Sequence, residues 1–261
     1  MIIVKFGGHA MQDENGVFAR AIAAAQSKGV SIVIVHGGGP QIDAALKDEG
    51  IVSEFIGGFR VTTPEIFQVV ERVLADEVGP SIAKALLIAG VNAVALSGRT
   101  SESLIAEPLR NLVDGTPVNL GLVGVVTAVN PQAIKNALKG GQVPVISPIA
   151  TDENFKGGLN VNADLAAAAI AGALDAQCLI IMTDVGGIYR SWPDTSSLIS
   201  EISATELAAI KATFAEGMAP KVQACLDAIA GGASTVRVID GRDPSAFASA
   251  LDSHGGTLVT K

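Results

Sequence analysis

The sequence is short of the groups on which several protein classes depend. Its 261 residues hold two cysteines, Cys178 and Cys225, too few and too far apart for a disulfide framework or a zinc cluster. Both read as small core residues. Charged residues make up 17%, against about 25% in an average globular chain, which excludes disorder, a coiled coil and a basic nucleic-acid module. Basic residues are the scarcer sign, 18 Lys and Arg to 26 Asp and Glu, and the net charge of −8 opposes long-range attraction to phosphate backbones. Any anion site is therefore local. No apolar run reaches the roughly 18–20 residues of a membrane span; the longest clear one, Leu165–Leu174, is Ala-rich and ten residues long. The start, Met1-Ile2-Ile3-Val4-Lys5, breaks its apolar stretch with a charge and lacks the shape of a signal peptide. A soluble cytoplasmic protein without nucleic-acid or membrane partners is expected. The three histidines are scattered, with no His–carboxylate base motif. Neither G-x-G-x-x-G nor G-K-[S/T] occurs, which disfavours a dinucleotide fold and a P-loop.

What is present is an alternation of short β-branched runs with longer Ala- and Leu-rich stretches of helical period. That is the pattern of a mainly parallel α/β sheet, in one large domain or two intertwined lobes. Ile2–Phe6 reads as a buried strand ending at Gly7-Gly8, and Ser31–Val35 as a second ending at Gly37-Gly38-Gly39-Pro40. Pro40 suits the first turn of a helix over Gln41–Lys47. Thr63-Pro64-Glu65 opens a helix running towards Leu87, with Gly79-Pro80 as a break. Val91–Leu96 and Gln142–Ile146 read as strands, and Asn119–Val129 as strands at a sheet edge. In the second half the pattern predicts a helix over Asp164–Leu174, a strand over Gln177–Met182 and a helix over Lys221–Ala230. A strand over Thr235–Ile239 and a short helix after Asp240-Gly241-Arg242 follow, and Ser203-Ala204-Thr205-Glu206 fits a capping box. The lobes share one sheet, with a soft division near residues 148–157.

Several residues fit this scaffold poorly unless they serve a ligand. Each glycine turn on its own fits an ordinary strand-to-helix connection as well as an anion cradle. Two of them at the carboxyl ends of adjacent strands sit where α/β sheets bind ligands. Lys5, at the end of a buried strand, either reaches solvent beyond the strand end or is aimed at phosphate. In Asn160-Val161-Asn162-Ala163-Asp164, helix capping accounts for one polar residue and leaves two over. Lys221 starts a helix against the macrodipole, at a cost of a few tenths to about 1 kcal/mol unless an anion is near. Such a local misfit is expected at a functional site.

These segments resemble the amino-acid kinase family over nearly the whole chain. The likeness runs from Lys5-Phe6-Gly7-Gly8 through His36-Gly37-Gly38-Gly39-Pro40, Gly58-Phe59-Arg60-Val61-Thr62 and Asn160–Asp164. It continues to Thr183-Asp184-Val185 with Gly187-Ile188-Tyr189, and to Gly217-Met218 with Lys221-Val222. The G-F-R-V-T and N-V-N-A-D segments are similar to the branch that phosphorylates N-acetyl-L-glutamate. The resemblance implies a three-layer αβα sandwich with a mainly parallel central sheet, the amino-acid kinase fold. Within this one kinase domain, residues 1–150 would bind acetylglutamate and dimerise, and residues 151–261 would bind ATP. It implies ATP-dependent phosphorylation of the γ-carboxylate of N-acetyl-L-glutamate in arginine biosynthesis. By position, Lys5 and Lys221 would be catalytic, with Asp164 holding both in place. Gly8, Gly38 and Gly39 would offer amides to phosphoryl oxygens and substrate, while Arg60 and Asn160 would bind the substrate's other end. Gly7, Asp184, Val185, Gly187, Tyr189, Thr213, Gly217 and Met218 would serve the nucleotide. Mg2+ would ride on the ATP phosphates, with no metal ligand from the protein.

Physical chemistry agrees at several points. The acceptor carboxylate is ionised at pH 7, with a reference pKa near 4.3, so no general base is needed. Phosphoryl transfer is mostly positioning and charge stabilisation, which two lysines, a metal and glycine amides supply. Arg60 is a natural fork for a carboxylate. Val78-Gly79-Pro80-Ser81 departs from the family pattern, where many members carry an Asn-Lys pair, and the role of Ser97-Gly98-Arg99-Thr100-Ser101 is open. Arginine-inhibited relatives carry an extra N-terminal helix that interlaces dimers into hexamers. The first strand here begins at residue 2, which implies a homodimer that arginine inhibits weakly or not at all. The rivals are a carrier-linked aminoadipate kinase of lysine biosynthesis and a catalytically silent nucleotide-binding module on the same fold. An acidic carrier would call for basic surface, of which a chain at −8 gives no hint. A silent binder needs no paired lysines at the reacting phosphate. His9 reads as a polar surface group or a substrate contact, and His36 as a satisfied structural histidine. Trp192 reads as packing a loop over the nucleotide region, with stacking on adenine as the alternative.

Overall fold

Alternation along the first strand divides the core in two. The computed structural model describes residues 1–7, 16–154, 157–214 and 218–261. In it β1 (Ile2–Phe6) sends Ile2, Val4 and Phe6 into one apolar cluster and Ile3 into another. Side chains alternate faces along a strand, so Lys5 shares the face of Ile3. The chain continues through α1 (Val17–Ser27), β2 (Ile32–His36), α2 (Gly39–Asp48) and a hairpin of β3 (Phe55–Ile56) and β4 (Phe59–Arg60). Helix α3 (Pro64–Glu71), a π-helical stretch Arg72–Val78 and α4 (Gly79–Ile88) follow without interruption. Next come β5 (Ala93–Ser97), β6 (Leu104–Pro108), β7 (Val123–Val129), α5 (Gln132–Lys139), β8 (Val143–Ser147), β9 (Ile149–Asp152) and β10 (Gly158–Val161). The last third is α6 (Ala163–Ala173), β11 (Cys178–Thr183), β12 (Glu201–Ser203), α7 (Ala204–Ile210), α8 (Ala219–Gly231), β13 (Val236–Asp240), α9 (Pro244–Leu251) and β14 (Thr257–Thr260).

The main sheet runs β12-β14-β13-β11-β1-β2-β8-β5, parallel except for β13 against β14. Helices α1 to α4 and α9 cover the face that holds Val4; α5 to α8 cover the face that holds Ile3. This is the αβα sandwich the resemblance implied. Strands β10, β7, β6 and β9 close into a small barrel beside it. Among the described residues no helix is long and apolar enough to cross a membrane.

Two sequence expectations need correction. Gly79-Pro80 does not break its helix. The π-helical stretch shifts the ladder so that the Gly79 N–H reaches the Leu74 carbonyl, and Pro80 stands in the first turn of α4, where a missing donor is tolerated. In the Asn119–Val129 region one strand forms, β7, and it belongs to the barrel rather than to an edge of the main sheet. The capping box is present: Ser203 Oγ accepts from the Glu206 N–H while the Glu206 carboxylate accepts from the Ser203 N–H.

Helices α6 and α8 approach unusually closely. Buried faces of α6 are mostly alanine, and a Cβ placed on Gly172 would lie 2.9 Å from the Cα of Gly231. That contact brings the C-terminal ends of the two helices together. Gly172→Ala gains about 1 kcal/mol of helix propensity, but overpacking costs about 1–3 kcal/mol. Net destabilisation in urea unfolding is expected; a variant more stable than the parent would show that the helices have room to spare.

Candidate active site

Three charged residues from three elements meet at the carboxyl end of the main sheet. Lys5 projects from β1, Asp164 from the first turn of α6 and Lys221 from the first turn of α8. Lys5 Nζ lies 3.1 Å from Asp164 Oδ1, and Lys221 Nζ donates to Asp164 Oδ2 at 3.0 Å. Lys5 Nζ also donates to the Met182 carbonyl at 3.4 Å. Asn162 caps α6, its Oδ1 accepting from the amides of Asp164 (2.8 Å) and Leu165 (3.3 Å). That division of labour leaves the Asp164 carboxylate free for the lysines.

Asp164 is 3% exposed and Lys5 8%. Burial pushes the Asp164 carboxyl up, but the two ammonium groups outweigh it and hold the group below the usual carboxylate range. Lys221 is raised, chiefly by Asp164 and against its own desolvation. Its placement opposes the α8 dipole, as the sequence suggested, and the buried carboxylate supplies the compensating anion.

A cavity of about 300 Å³ opens over the cluster. Lys5, Gly7, Gly38, Gly39, Arg60, Asn160, Asp164 and Lys221 all line it. Gly38 and Gly39 start α2, which has no side-chain cap, so its first amides are available to an anion. A Cβ on Gly38 would come within 2.5 Å of Leu74 Cδ2, a close approach that glycine permits. Arg60 is 6% exposed; its Nη1 pairs with Asp43 Oδ1 at 2.8 Å and donates to Ser53 Oγ at 2.7 Å. Its guanidinium lies 4.5 Å from the Phe55 ring centre. Asn160 Nδ2 donates to Thr62 Oγ1 at 3.2 Å.

A second cavity, about 590 Å³, shares Thr183, Asp184 and Lys221 with the first. Val185, Tyr189, Thr213 and Met218 line it too. Gly187 does not: a Cβ there would lie 2.6 Å from Thr257 Oγ1, so this glycine lets the loop pack on β14. Trp192 lines the cavity and meets Tyr189 edge-on at 5.1 Å. Gly8, His9 and Gly217 lie outside the described residues. Asp43, Ser53 and Phe55 were missed by the sequence reading. Asp43 stands four residues beyond Gly39, one turn into α2 from the glycine loop, and that spacing was the available signal. Among the described residues no group of three His, Cys, Asp or Glu gathers to hold a metal.

A family model described as the amino acid kinase family matches residues 1–240. The chain is 46% identical to the acetylglutamate kinase of Nocardia farcinica, covering 100% of this chain and 87% of that one. It is also 46% identical to the acetylglutamate kinase of Kineococcus radiotolerans, over 99% of this chain and 90% of the relative. Among solved structures, smu.665 of Streptococcus mutans superposes with a TM-score of 0.82 at 30% identity, over 99% of this chain and 98% of that one. Giardia lamblia carbamate kinase bound to AMP-PNP has the same fold, with a TM-score of 0.72 at 20% identity over 100% and 98% of the two chains. With a family model over most of its length and relatives this similar along all of it, the chain belongs to the amino acid kinase family.

Proposed function

We propose that this protein transfers the γ-phosphoryl group of ATP to the γ-carboxylate of N-acetyl-L-glutamate, forming the acyl phosphate used in arginine biosynthesis. The observation that carries the reading is the Lys5–Asp164–Lys221 cluster lining the first cavity, with Lys221 also lining the second. Its two ammonium groups outnumber the one buried carboxylate, which leaves positive charge facing the first cavity. The larger cavity takes the nucleotide, and the smaller takes the acceptor. Lys5 and Lys221 then stabilise charge on the migrating phosphoryl group, and the α2 amides at Gly38 and Gly39 cradle its oxygens. Asp164 fixes both lysines and favours the charged form of Lys221. Arg60 forks onto the acceptor's α-carboxylate and Asn160 binds beside it. Mg2+, carried by the ATP phosphates, neutralises part of their charge. The acceptor is already ionised at neutral pH, so the cluster contains lysines and no general base. Residues 1–150 form the acceptor lobe, which also carries the homodimer contact, and residues 151–261 the nucleotide lobe. The relatives' names favour acetylglutamate over a carrier-linked acceptor.

ADP release in a coupled assay decides between acceptors. It should require N-acetylglutamate and fail with glutamate, aspartate or no acceptor; equal rates with all of them would overturn the reading. Lys5→Ala and Lys221→Ala should each lower kcat by about 10² or more, as loss of one transition-state donor does. Near-parental turnover in both would remove the lysines from the chemistry. Arg60→Ala should chiefly raise the acetylglutamate KM, since the Asp43 it abandons is 59% exposed and hydrates readily. An unchanged KM would rule out the clamp.

Stability should follow the same cluster. Asp164 has a lowered pKa in the fold, so its contribution is present above the unfolded value near 3.9 and is lost as pH falls through the folded one. Lys221 is raised, so its contribution holds below about 10.4 and is lost as pH climbs through the folded value. Asp164→Asn should cost about 3–5 kcal/mol at pH 7 by stranding two lysines. The gap between variant and parent should shrink as pH drops below about 4, where the unfolded parent's carboxyl protonates before the folded one does. A gap in urea unfolding that stays constant down to acid pH would contradict this.

A further inference from the structure

We propose that His36 is a positioning residue for the phosphoryl site: its Nδ1–H pins the Gly37 carbonyl and so keeps the Gly38 N–H turned towards the cavity. This rests on the kinase reading above, because it gives the glycine loop a phosphate to serve. His36 ends β2, is fully buried and does not line the cavity, whereas Gly37, Gly38 and Gly39 do. Its Nδ1 lies 2.8 Å from the Gly37 carbonyl oxygen. A carbonyl only accepts, so Nδ1 carries the proton. Burial pushes the imidazole down to about 4 against the opposing effect of that hydrogen bond, so the ring is neutral at pH 7 and Nε2 is bare. Nε2 finds no partner among the described residues, which agrees with this tautomer.

The lock answers a specific weakness of the loop. In a trans peptide the carbonyl of one residue and the N–H of the next point in opposite directions. Holding the Gly37 oxygen against His36 therefore aims the Gly38 N–H away from the ring. Neither Gly37 nor Gly38 has a Cβ to resist rotation of the peptide between them. A flip would exchange a donor for an acceptor at the cradle and set a carbonyl against phosphate oxygens. The Gly37 N–H is already fixed on the Phe6 carbonyl at 2.8 Å, and the Gly38 carbonyl on the Ile42 N–H at 2.9 Å. The peptide between these two anchors is the one that His36 secures. Packing leaves space for the ring: a Cβ on Gly79 would approach Nε2 to 3.1 Å, and glycine stands there.

Three variants separate this role from simple core packing. An Asn side chain places a donor at the δ position, Gln places it at the ε position, and Leu has none. His36→Leu and His36→Gln should lose about tenfold or more in kcat, short of the 10²–10³ for a donor removed outright. Their acetylglutamate KM should move less than kcat does. His36→Asn should recover most of the lost kcat. Equal activity in the Gln and Asn variants, or parental kcat in the Leu variant, would overturn the proposal. Nitrogen-15 NMR of the unaltered protein tests it even if the variants fold poorly. The His36 ring, identified as the signal that remains in both His9→Gln and His254→Gln, should show an Nδ1–H tautomer that does not titrate between pH 6 and 8. A proton on Nε2, or titration in that range, would refute it. Absence of acetylglutamate-dependent activity in the parent would sink the kinase reading instead, and the tautomer would still stand or fall by NMR.

Discussion

A buried carboxylate held between two ammonium groups is the constraint from which the rest of the site follows. Taking three charges out of water costs several kcal/mol apiece, and apolar groups of the same volume generally hold a core together as well or better. Stability alone therefore gives no reason for Asp164 to sit 3.1 and 3.0 Å from two lysines. The arrangement makes sense as an apparatus for an anion. It holds two cations, only partly neutralised by the one carboxylate, beside a cavity. The surrounding architecture serves that geometry: an alanine-rich α6, a glycine contact that lets α8 close on it, and an Asn162 cap that leaves the aspartate unused by the helix.

Strand parity adds a second requirement. Lys5 pairs with Val35 on β2 and Ile181 on β11, in the middle of a parallel sheet whose core residues are almost wholly buried. A one-residue slip of β1 would turn the lysine into the opposite core, under α1 to α4, and put Val4 or Phe6 in its place facing α6. Register and the placement of Lys5 beside Asp164 are thus bound together. The hydrophobic pattern that specifies the strand also specifies which helix layer the lysine meets.

Much of this was legible from residue order, for identifiable reasons. Short β-branched runs bounded by glycine located β1, β2, β8, β11 and β13 to within a residue or two, because buried parallel strands are continuously apolar. Lys5, Asp164 and Lys221 stood out since each breaks a local preference: a charge in a core strand, a polar surplus beyond capping, a cation at a helix start. The barrel did not stand out. Its strands pair across long separations, β6 with β9 and β10 with β7, and they alternate too weakly to announce a sheet. Strand β14, which lies between β12 and β13 and runs antiparallel to β13, and α1 carry no distinctive turn signature. The π-helical stretch is invisible to a pattern search because its 72–78 segment is as apolar and periodic as an α-helix. Gly187, a glycine of the family pattern, packs its loop against Thr257 and is absent from the cavity lining.

The net charge of −8 and an anion-handling site are reconciled by distance. Surface carboxylates act through water, where salt screens interactions beyond about 8–10 Å. Asp164 and Lys5 are buried, Lys221 is mostly so, and they act at about 3 Å, where screening is weak; the uncapped starts of α2 and α8 add their dipoles at the same spot. Arg60 obeys a related logic. It is itself buried, so it needs a counter-charge at all times; Asp43 provides one from a position more than half exposed, where losing the guanidinium to another carboxylate costs a solvated group little. Site electrostatics here are local by construction, fixed by which charges are buried and what each is given as a partner.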